Sequence, residues 1–494
     1  METTQSRLSG TRDYAGGEAI ALRQARASLE GVFQRYGYGL IDPPILEHAG
    51  PFLDRSGEDI RRRMYIFSDP GGQEVCLRPE LTIPACRAWL QSRGAETSAR
   101  LAYMGPAFRY DPPGDAQYRQ FYQAGVELIG EAPRAAADAE VLALSLEALE
   151  AGGVTDLAVT IGDNAIIEAF ISGLAVDDAS KARLRRIASR LDAPARLAAL
   201  ARARGSSAPE HDELARLLSS IGGDRAETLL TEVFALVDLR HVGGRTPQEI
   251  VERLVTRTSQ ASFEGISAEL IEGIAALLKI GGAPEKAMKT IADHFKALGI
   301  RLDAGILDES AERLSLLAVY RGRSDDIAFH VGMHRELGYY TGFVFEVHAR
   351  SSRAIGHLVG GGRYDNLLQA LGAGTPTPAV GFAIDVDRVL RATKAAEAPL
   401  PDAILIAEEG VRADAVARAA AALRAAGWNV ETDFSQASEQ AALRAAAKRK
   451  IPFAVLIAKE DARKRSVRIR RLSERVAQAV PLSALAGFVA ETKR

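Results

Sequence analysis

Three stretches of the sequence place charged side chains inside patterns that otherwise predict buried strands. They are residues 77–82, residues 108–109 with 118–127, and residues 334–342 leading to 345–346. A buried charge costs free energy unless it is paired or bound, so each stretch is a candidate ligand site. For any single Arg–Glu pair, a structural link between strands is the simpler explanation.

The second stretch has the clearest pattern. Gln123 and Glu127 alternate with the apolar residues Ala124 and Val126. Side chains of a strand alternate between its two faces, so the amide and the carboxylate project from one face. Together they suit the ammonium group of a ligand, while arginines such as Arg109 suit a carboxylate or phosphate.

Other motifs indicate neither a metal nor a phosphate loop. Residues 360–362 are three glycines, but they lack GxGxxG spacing and a P-loop lysine, so a tight turn with close backbone approach is favoured. His334 and His357 stand alone, which predicts no metal site. The chain has two cysteines, Cys76 and Cys86, which argues against a disulfide framework or a four-cysteine zinc site.

Composition indicates a soluble, cytoplasmic protein of two or three domains. The chain has 494 residues, of which 47% are hydrophobic and 26% charged. No apolar run is long enough to span a bilayer, and the first residues lack the pattern of a secretory signal. Residues 401–494 carry 17 Lys+Arg against 11 Asp+Glu. This surplus of positive charge could bind a nucleic acid or an acidic protein surface. The basic residues could equally form a solvated face.

Periodicity predicts a mixed first part, a helical middle and an α/β tail. Helices are predicted over residues 17–36 and 135–149, and an all-helical insertion over about 164–320. Strands are predicted at 64–68, 73–77, 101–110, 118–129, 156–162, 327–332, 339–348 and 379–384. After a linker near residues 395–401, strands at 403–407, 429–432 and 453–457 alternate with helices at 414–426 and 439–448.

In combination and order, these stretches resemble the core of class II aminoacyl-tRNA synthetases and, within it, the histidine branch. Residues 10–13 and 36–47 look like the opening and the first, dimer-forming motif. Residues 77–82 resemble the L-R-P-E-x-T segment, and residues 105–127 resemble the second motif. Residues 335–340 resemble R-G-L-D-Y-Y, and residues 361–365 with 381–388 resemble the third motif. The similarity covers about residues 9–391.

The resemblance implies residue roles. The histidine-binding positions would be Glu80, Thr82, Gln123, Glu127, Arg335, Tyr339 and Tyr340. The positions that face ATP in the synthetases would be Arg109, Asp111 and Arg388. It assigns no metal ligand.

The resemblance also implies the fold class and the domain boundaries. We expect an α+β protein with a class II synthetase-like, mainly antiparallel sheet. Its core would comprise residues 1–163 and 321–396, interrupted by the helical insertion at 164–320. Residues 401–494 would form an α/β domain similar to anticodon-binding domains.

The family contains two functional classes. One charges tRNA with histidine, using ATP and Mg²⁺. The other is the regulatory subunit of ATP phosphoribosyltransferase, which senses histidine at the first step of histidine biosynthesis. Residues 51–63, 81–86 and 242–250 look like the regulatory group. Asp111-Pro112 stands where synthetases carry an acidic residue and then arginine, and Gly338 replaces the aspartate of L-D-Y-Y.

We therefore predict a regulatory subunit without its own catalysis and without a cofactor. Its partners would be histidine and a short-form catalytic subunit, in a homodimer or hetero-oligomer. The chain keeps three arginines of the ligase motifs, Arg109, Arg335 and Arg388, and its C-terminal domain is full-length. Histidine–tRNA ligase therefore remains the alternative. In that case these three arginines would be catalytic, ATP and Mg²⁺ would be required, and tRNA would be the partner.

Overall fold

The structure is a computed structural model. It describes residues 7–55, 58–92, 97–110, 118–130, 133–188, 193–197, 267–322, 326–333, 338–393, 400–435, 437–474 and 476–492. The chain forms two compact units, residues 1–15 with 19–395 and residues 16–18 with 396–494. Each unit has hydrophobic clusters of its own. Among the described residues, no helix combines the length and apolarity that crossing a membrane requires.

The elements up to residue 395 are as follows. The strands are β1 (Gly39–Leu40), β2 (Leu46–His48), β3 (Tyr65–Ser68), β4 (Glu74–Leu77), β5 (Ala99–Phe108), β6 (Gln120–Ile129), β7 (Leu157–Asp163), β8 (Gly281–Gly282), β9 (Ile327–His330), β10 (Phe343–Ala349), β11 (Val359–Arg363) and β12 (Ala379–Asp385). The helices are α1 (Gly17–Arg35), α2 (Gly50–Arg55), α3 (Glu58–Arg61), α4 (Thr82–Ser92), α5 (Arg134–Ala151), α6 (Asn164–Ser172), α7 (Asp178–Ala188), α8 (Ala268–Leu277), α9 (Pro284–Ala297), α10 (Ala304–Arg321), α11 (Leu367–Ala370) and α12 (Val386–Ala392).

A nine-stranded sheet dominates this unit, in the order β1-β5-β6-β12-β11-β10-β7-β9-β8. Its central strands pair antiparallel, and the pairs β1–β5 and β7–β9 are parallel. A separate three-stranded sheet has the order β2-β4-β3. The predicted α+β core with a mainly antiparallel sheet is confirmed.

Helix α5 covers one face of the large sheet. Its sequence is apolar on nearly all sides, with alanines and leucines that are buried in the main hydrophobic cluster. A helix that is apolar on all sides must be buried on all sides by other elements. Helix α5 contacts β12, β11 and β10 as well as α10, which supplies those partners.

Residues 359–363 form a strand, so the tight turn predicted for residues 360–362 is wrong. The close backbone approach predicted there is present. A Cβ on Gly361 would lie 2.6 Å from the carbonyl oxygen of Gly381 and 2.6 Å from the Phe345 ring. Three consecutive glycines suggest a turn from local propensity, but here they let neighbouring strands and rings pack closely in mid-sheet.

The described part of segment 164–320 is continuous with the core. Strand β8 joins the edge of the large sheet by pairing with β9. Phe170, Ile274 and Leu317 belong to the same hydrophobic cluster as the sheet. The segment is therefore not all-helical, because a two-residue strand carries no periodic signal of its own. Residues 189–192 and 198–266 of this segment lie outside the described residues.

The second unit is a five-stranded sheet of order β14-β13-β15-β16-β17 flanked by helices. Its strands are β13 (Ala403–Ala407), β14 (Val430–Thr432), β15 (Phe453–Ile457), β16 (Ser466–Arg471) and β17 (Ala477–Pro481). Its helices are α13 (Ala413–Ala425), α14 (Glu439–Lys448), α15 (Lys459–Lys464) and α16 (Leu485–Thr492). The first three strands are parallel and the last two antiparallel.

Candidate functional site

The register of the large sheet separates a packed face from a polar face. Val126 pairs with Phe382, and both belong to the hydrophobic core. One position along, Glu127 pairs with Gly381, which pairs with Gly362. Directly paired residues project to the same side of a sheet, so Glu127 lies beside two residues without side chains. The polar face therefore has a depression next to this carboxylate.

Glu127 is a fully buried acid of this face, with 1% of its surface exposed. Its Oε1 accepts a hydrogen bond from the Tyr103 hydroxyl at 3.1 Å, and its Oε2 accepts one from the Tyr364 hydroxyl. Burial raises the pKa of Glu127 to about 8, with the nearby charge of Glu80 acting in the same direction and the hydroxyls opposing it. The carboxyl group is therefore poised to ionise near neutral pH.

Gln123 lies on the same strand face, as the alternation predicted. Its Oε1 accepts a hydrogen bond from the backbone N–H of Leu81 at 3.0 Å. The side-chain amide of Gln123 thus ties strand β6 to the start of helix α4. Since the oxygen is used for this link, the amide N–H₂ is the part of the side chain left to face a ligand.

Glu80 caps the first turn of helix α4. Its Oε2 accepts from the backbone N–H of Thr82 at 2.6 Å, and its Oε1 accepts from the N–H of Ile83 at 3.0 Å. These are among the first N–H groups of the helix, which have no partner within it. Burial raises the pKa of Glu80, and these two backbone bonds oppose the shift. Neither this helix nor this capping role was predicted from the sequence.

Thr82 and Tyr103 connect the two carboxylates. The Thr82 hydroxyl and the Tyr103 hydroxyl lie 3.3 Å apart, and Tyr103 is fully buried. Tyr103 was not predicted as a site residue. Its strand position could have identified it, because Tyr103 pairs with Gly125, between Gln123 and Glu127.

Two tyrosines close the other side of the depression. The rings of Tyr339 and Tyr340 lie 4.9 Å apart, and both rings contact Tyr364. Tyr339 is 8% exposed, and its buried hydroxyl makes no hydrogen bond to a described residue. Burial raises its pKa well above the ordinary value. A buried hydroxyl of this kind marks a place where a ligand atom would be accepted.

Three glycines keep the depression open. A Cβ on Gly381 would overlap the Oε2 atom of Glu127, and a Cβ on Gly362 would lie 2.9 Å from the Tyr340 ring. A Cβ on Gly125 would lie 2.5 Å from the Tyr103 hydroxyl. Any side chain at these positions would displace the carboxylate or the tyrosines.

The arginines at the ATP-like positions occupy the neighbouring part of the polar face. Asp385 pairs with Gln123 in the sheet and caps helix α12, accepting from the backbone N–H of Arg388. Arg388 Nε lies 3.1 Å from Asp385 Oδ2, and its Nη1 donates to the His357 carbonyl at 2.8 Å. Burial raises the pKa of Asp385 to about 6, opposed by the charges of Arg388 and Arg109.

Arg109 reaches the same region. Its Nε donates to the carbonyl of Pro79 at 2.8 Å, and its guanidinium group lies over the Phe121 ring. The predicted residues Arg335 and Asp111 lie outside the described residues. The structure thus brings together Glu80, Thr82, Gln123, Glu127, Tyr339 and Tyr340, with Arg109 and Arg388 beside them.

The histidyl-tRNA synthetase family matches residues 10–242 and 248–389, and the anticodon-binding domain family matches residues 403–492. Because the first match covers most of the chain, the protein belongs to the histidyl-tRNA synthetase family.

Individual relatives favour one branch of that family. The ATP phosphoribosyltransferase regulatory subunit of Chelativorans sp. is 37% identical over 355 residues, covering 71% of this chain and 92% of the relative. That of Brucella canis is 33% identical over 356 residues, with the same coverage. The histidine–tRNA ligase of Pyrococcus horikoshii is 31% identical over 385 residues, covering 78% of this chain and 74% of the ligase. The predicted resemblance to the regulatory subunits is confirmed.

Solved structures show the same fold. A regulatory subunit/histidyl-tRNA synthetase from Bacillus halodurans has a TM-score of 0.62 at 22% identity, covering 90% of this chain and 97% of that one. Histidyl-tRNA synthetase from Nostoc sp. has a TM-score of 0.64 at 17% identity, with full coverage of both chains. At these identities the likeness concerns architecture alone.

Proposed function

We propose that this protein is a regulatory subunit of ATP phosphoribosyltransferase that senses histidine for feedback inhibition. The relatives that bear this name align over nearly their whole length with this chain. The observation that carries the ligand assignment is the buried Glu127 carboxyl group, held by two tyrosine hydroxyls beside two glycines. A short ligand with a nitrogen cation fits such a depression.

Each group around the depression has a chemical part in holding free histidine. The Glu127 carboxylate and the Thr82 hydroxyl would accept hydrogen bonds from ligand nitrogens. Tyr339 and Tyr340 would flank the imidazole ring, and the unpartnered Tyr339 hydroxyl would gain a bond. Glu80 would act mainly through its negative charge, since both of its oxygens already accept backbone N–H groups. Arg335 would receive the ligand carboxylate.

The proposed regulation requires histidine to favour one assembled state. Couplings between sites are typically about 1–3 kcal/mol, so occupancy would shift the equilibrium between the assembled states about 5–150-fold. The partner would be a short-form catalytic subunit, and no cofactor would be needed. The assembly would be a homodimer or a hetero-oligomer with that subunit.

Histidine–tRNA ligase is a second candidate because one observation favours it. Arg109 and Arg388 both lie close enough to Asp385 to oppose the rise of its pKa, beside the amino-acid depression. In a ligase these arginines and Arg335 would stabilise charge on the ATP α-phosphate, and Mg²⁺ would be required to supply further positive charge. The second unit, which matches the anticodon-binding family, would then contact tRNA.

Three assays with the purified full chain test the proposal. Calorimetric titration with histidine should show saturable binding, and the protein should activate a short-form catalytic subunit in a histidine-sensitive way. Incubation with histidine, ATP, Mg²⁺ and labelled pyrophosphate should show no histidine-dependent exchange into ATP. Robust exchange would establish the ligase instead, and absence of histidine binding would refute both candidates.

A further inference from the structure

A network of buried charges lies behind the tyrosine side of the depression. Asp138, on helix α5, binds two arginines with different oxygens. Its Oδ2 accepts from Arg313 Nε at 3.0 Å, and its Oδ1 accepts from Arg363 Nε at 2.9 Å and Nη2 at 2.6 Å. Arg313 Nη1 also lies 3.6 Å from Oδ2 of Asp163. Arg313 thus links Asp138 to Asp163, and Arg363 also pairs with the partly exposed Asp365.

The burial of this network is nearly complete. Arg313 is 3% exposed, Arg363 1%, Asp163 4% and Asp138 0%. Buried ion pairs are often no more stabilising than apolar residues of the same volume, so stability alone does not account for this one. What the charges do provide is fixed geometry, because a guanidinium group binds carboxylates in a defined orientation.

Two short paths lead from the network to the depression. Arg363 precedes Tyr364, whose hydroxyl binds Glu127, and the carbonyl of Arg363 accepts from the Thr341 N–H at 2.8 Å. Asp163 precedes Asn164, whose side chain donates to the Tyr340 carbonyl at 3.2 Å. Asp163 and Arg363 therefore hold the segment that carries the tyrosines from both sides.

Arg313 is the residue of helix α10 that contacts both paths, and within the helix it also lies close to Ser310 and Glu309. Arg313 reaches Asp138, which holds Arg363, and it also reaches Asp163. Its guanidinium group lies 4.3 Å from the centre of the Phe343 ring, on the strand that follows the tyrosine segment. A displacement of helix α10 would therefore shift both Asp163 and Arg363, the two residues that hold the tyrosine segment.

We propose that Arg313 is a positioning residue through which helix α10 sets the geometry of the amino-acid depression. Arg313 does not touch the ligand. It orients Asp138 and Asp163, which orient Tyr364 and the Tyr339–Tyr340 segment. The inference rests on the proposed histidine site and assigns to helix α10 the control of its affinity.

A matched pair of variants tests the proposal, with histidine as the probe in calorimetric titrations of the full chain. Arg313→Met removes the network cation. Arg321→Met removes another arginine of helix α10 that also pairs with helix α5, since Arg321 Nη2 lies 2.6 Å from Glu150 Oε1. We expect R313M to raise the Kd for histidine about tenfold, in the usual range of coupling between sites. R321M should leave the Kd unchanged.

Thermal unfolding of the same variants separates positioning from simple support. A lower melting temperature with an unchanged Kd in R313M, measured well below that temperature, would overturn the proposal. Equal increases in Kd for both variants would also overturn it. If R313M does not fold, Arg313→Lys takes its place, because lysine keeps the positive charge but lacks the planar guanidinium group. An unchanged Kd in R313K would also overturn the proposal. A wild-type protein that does not bind histidine would instead refute the proposed function.

Discussion

The raised pKa of Glu127 makes histidine binding depend on pH. Burial holds this pKa at about 8, so at pH 7 the carboxyl group of the unliganded protein is mostly protonated. A ligand ammonium or imidazole N–H binds the carboxylate form better. Binding should therefore release a proton from Glu127, and affinity should rise with pH.

The magnitude follows from the ionised fraction. With a pKa near 8, about one tenth of the unliganded protein is ionised at pH 7 and one half at pH 8, so the Kd should fall about fivefold over this interval. Free imidazole titrates near pH 6.5, below this window, and the ligand ammonium group stays charged. Proton release should appear as a dependence of the binding enthalpy on the ionisation enthalpy of the buffer.

Folding stability should change in the opposite direction. The unfolded carboxyl group ionises near its ordinary pKa of 4.5, whereas the folded one keeps its proton up to about 8. The free energy of unfolding should therefore fall as pH rises through this range, by at most about 5 kcal/mol from this group.

The variant Glu127→Gln provides the control. It cannot ionise, so its binding should be weak and independent of pH between 7 and 8, and its contribution to the pH dependence of unfolding should vanish. A wild-type Kd that is flat over this interval, with an enthalpy independent of the buffer, would refute the reasoning about Glu127.

Three further predictions concern the support of the site. Gly381→Ala should abolish detectable histidine binding, because its Cβ would overlap Oε2 of Glu127, whereas Gly374→Ala, which has no atom within 4 Å, should bind normally in the same titration. Glu80→Ala should lower the free energy of unfolding by about 1 kcal/mol or more in urea denaturation, because helix α4 loses its cap. An unchanged denaturation midpoint would contradict that role. A chain ending at residue 395 should still bind histidine, because the described residues that form the depression all belong to the first unit; loss of binding in a folded truncated chain would refute this.

Local patterns in the sequence were sufficient for much of the fold. Strand β13, helix α14 and strand β15 lie where the order of apolar runs and helical patterns predicted them. The period of strand β6 also placed Gln123 and Glu127 on one face, which the sheet register confirms. These features depend on residues a few positions apart, so neighbouring side chains are enough to predict them.

Other features depended on contacts that no local pattern contains. The glycines at residues 360–362 favour a turn by themselves, and only their packing against Phe345 and Gly381 makes them a strand. Glu80 has the residue type of a ligand-binding acid. Its hydrogen bonds from two backbone N–H groups could not be predicted, because they depend on the position of helix α4.

The sequence by itself determined the family, the sheet face that carries the acids and the α/β character of the tail. Tertiary structure alone decided how the site is supported. Asp138 meets Arg313 across 175 residues and Arg363 across 225, and Tyr364 meets Glu127 across 237. Pairings at such separations are set by how sheet and helices pack, and burial in that packing is also what raises the pKa of Glu127.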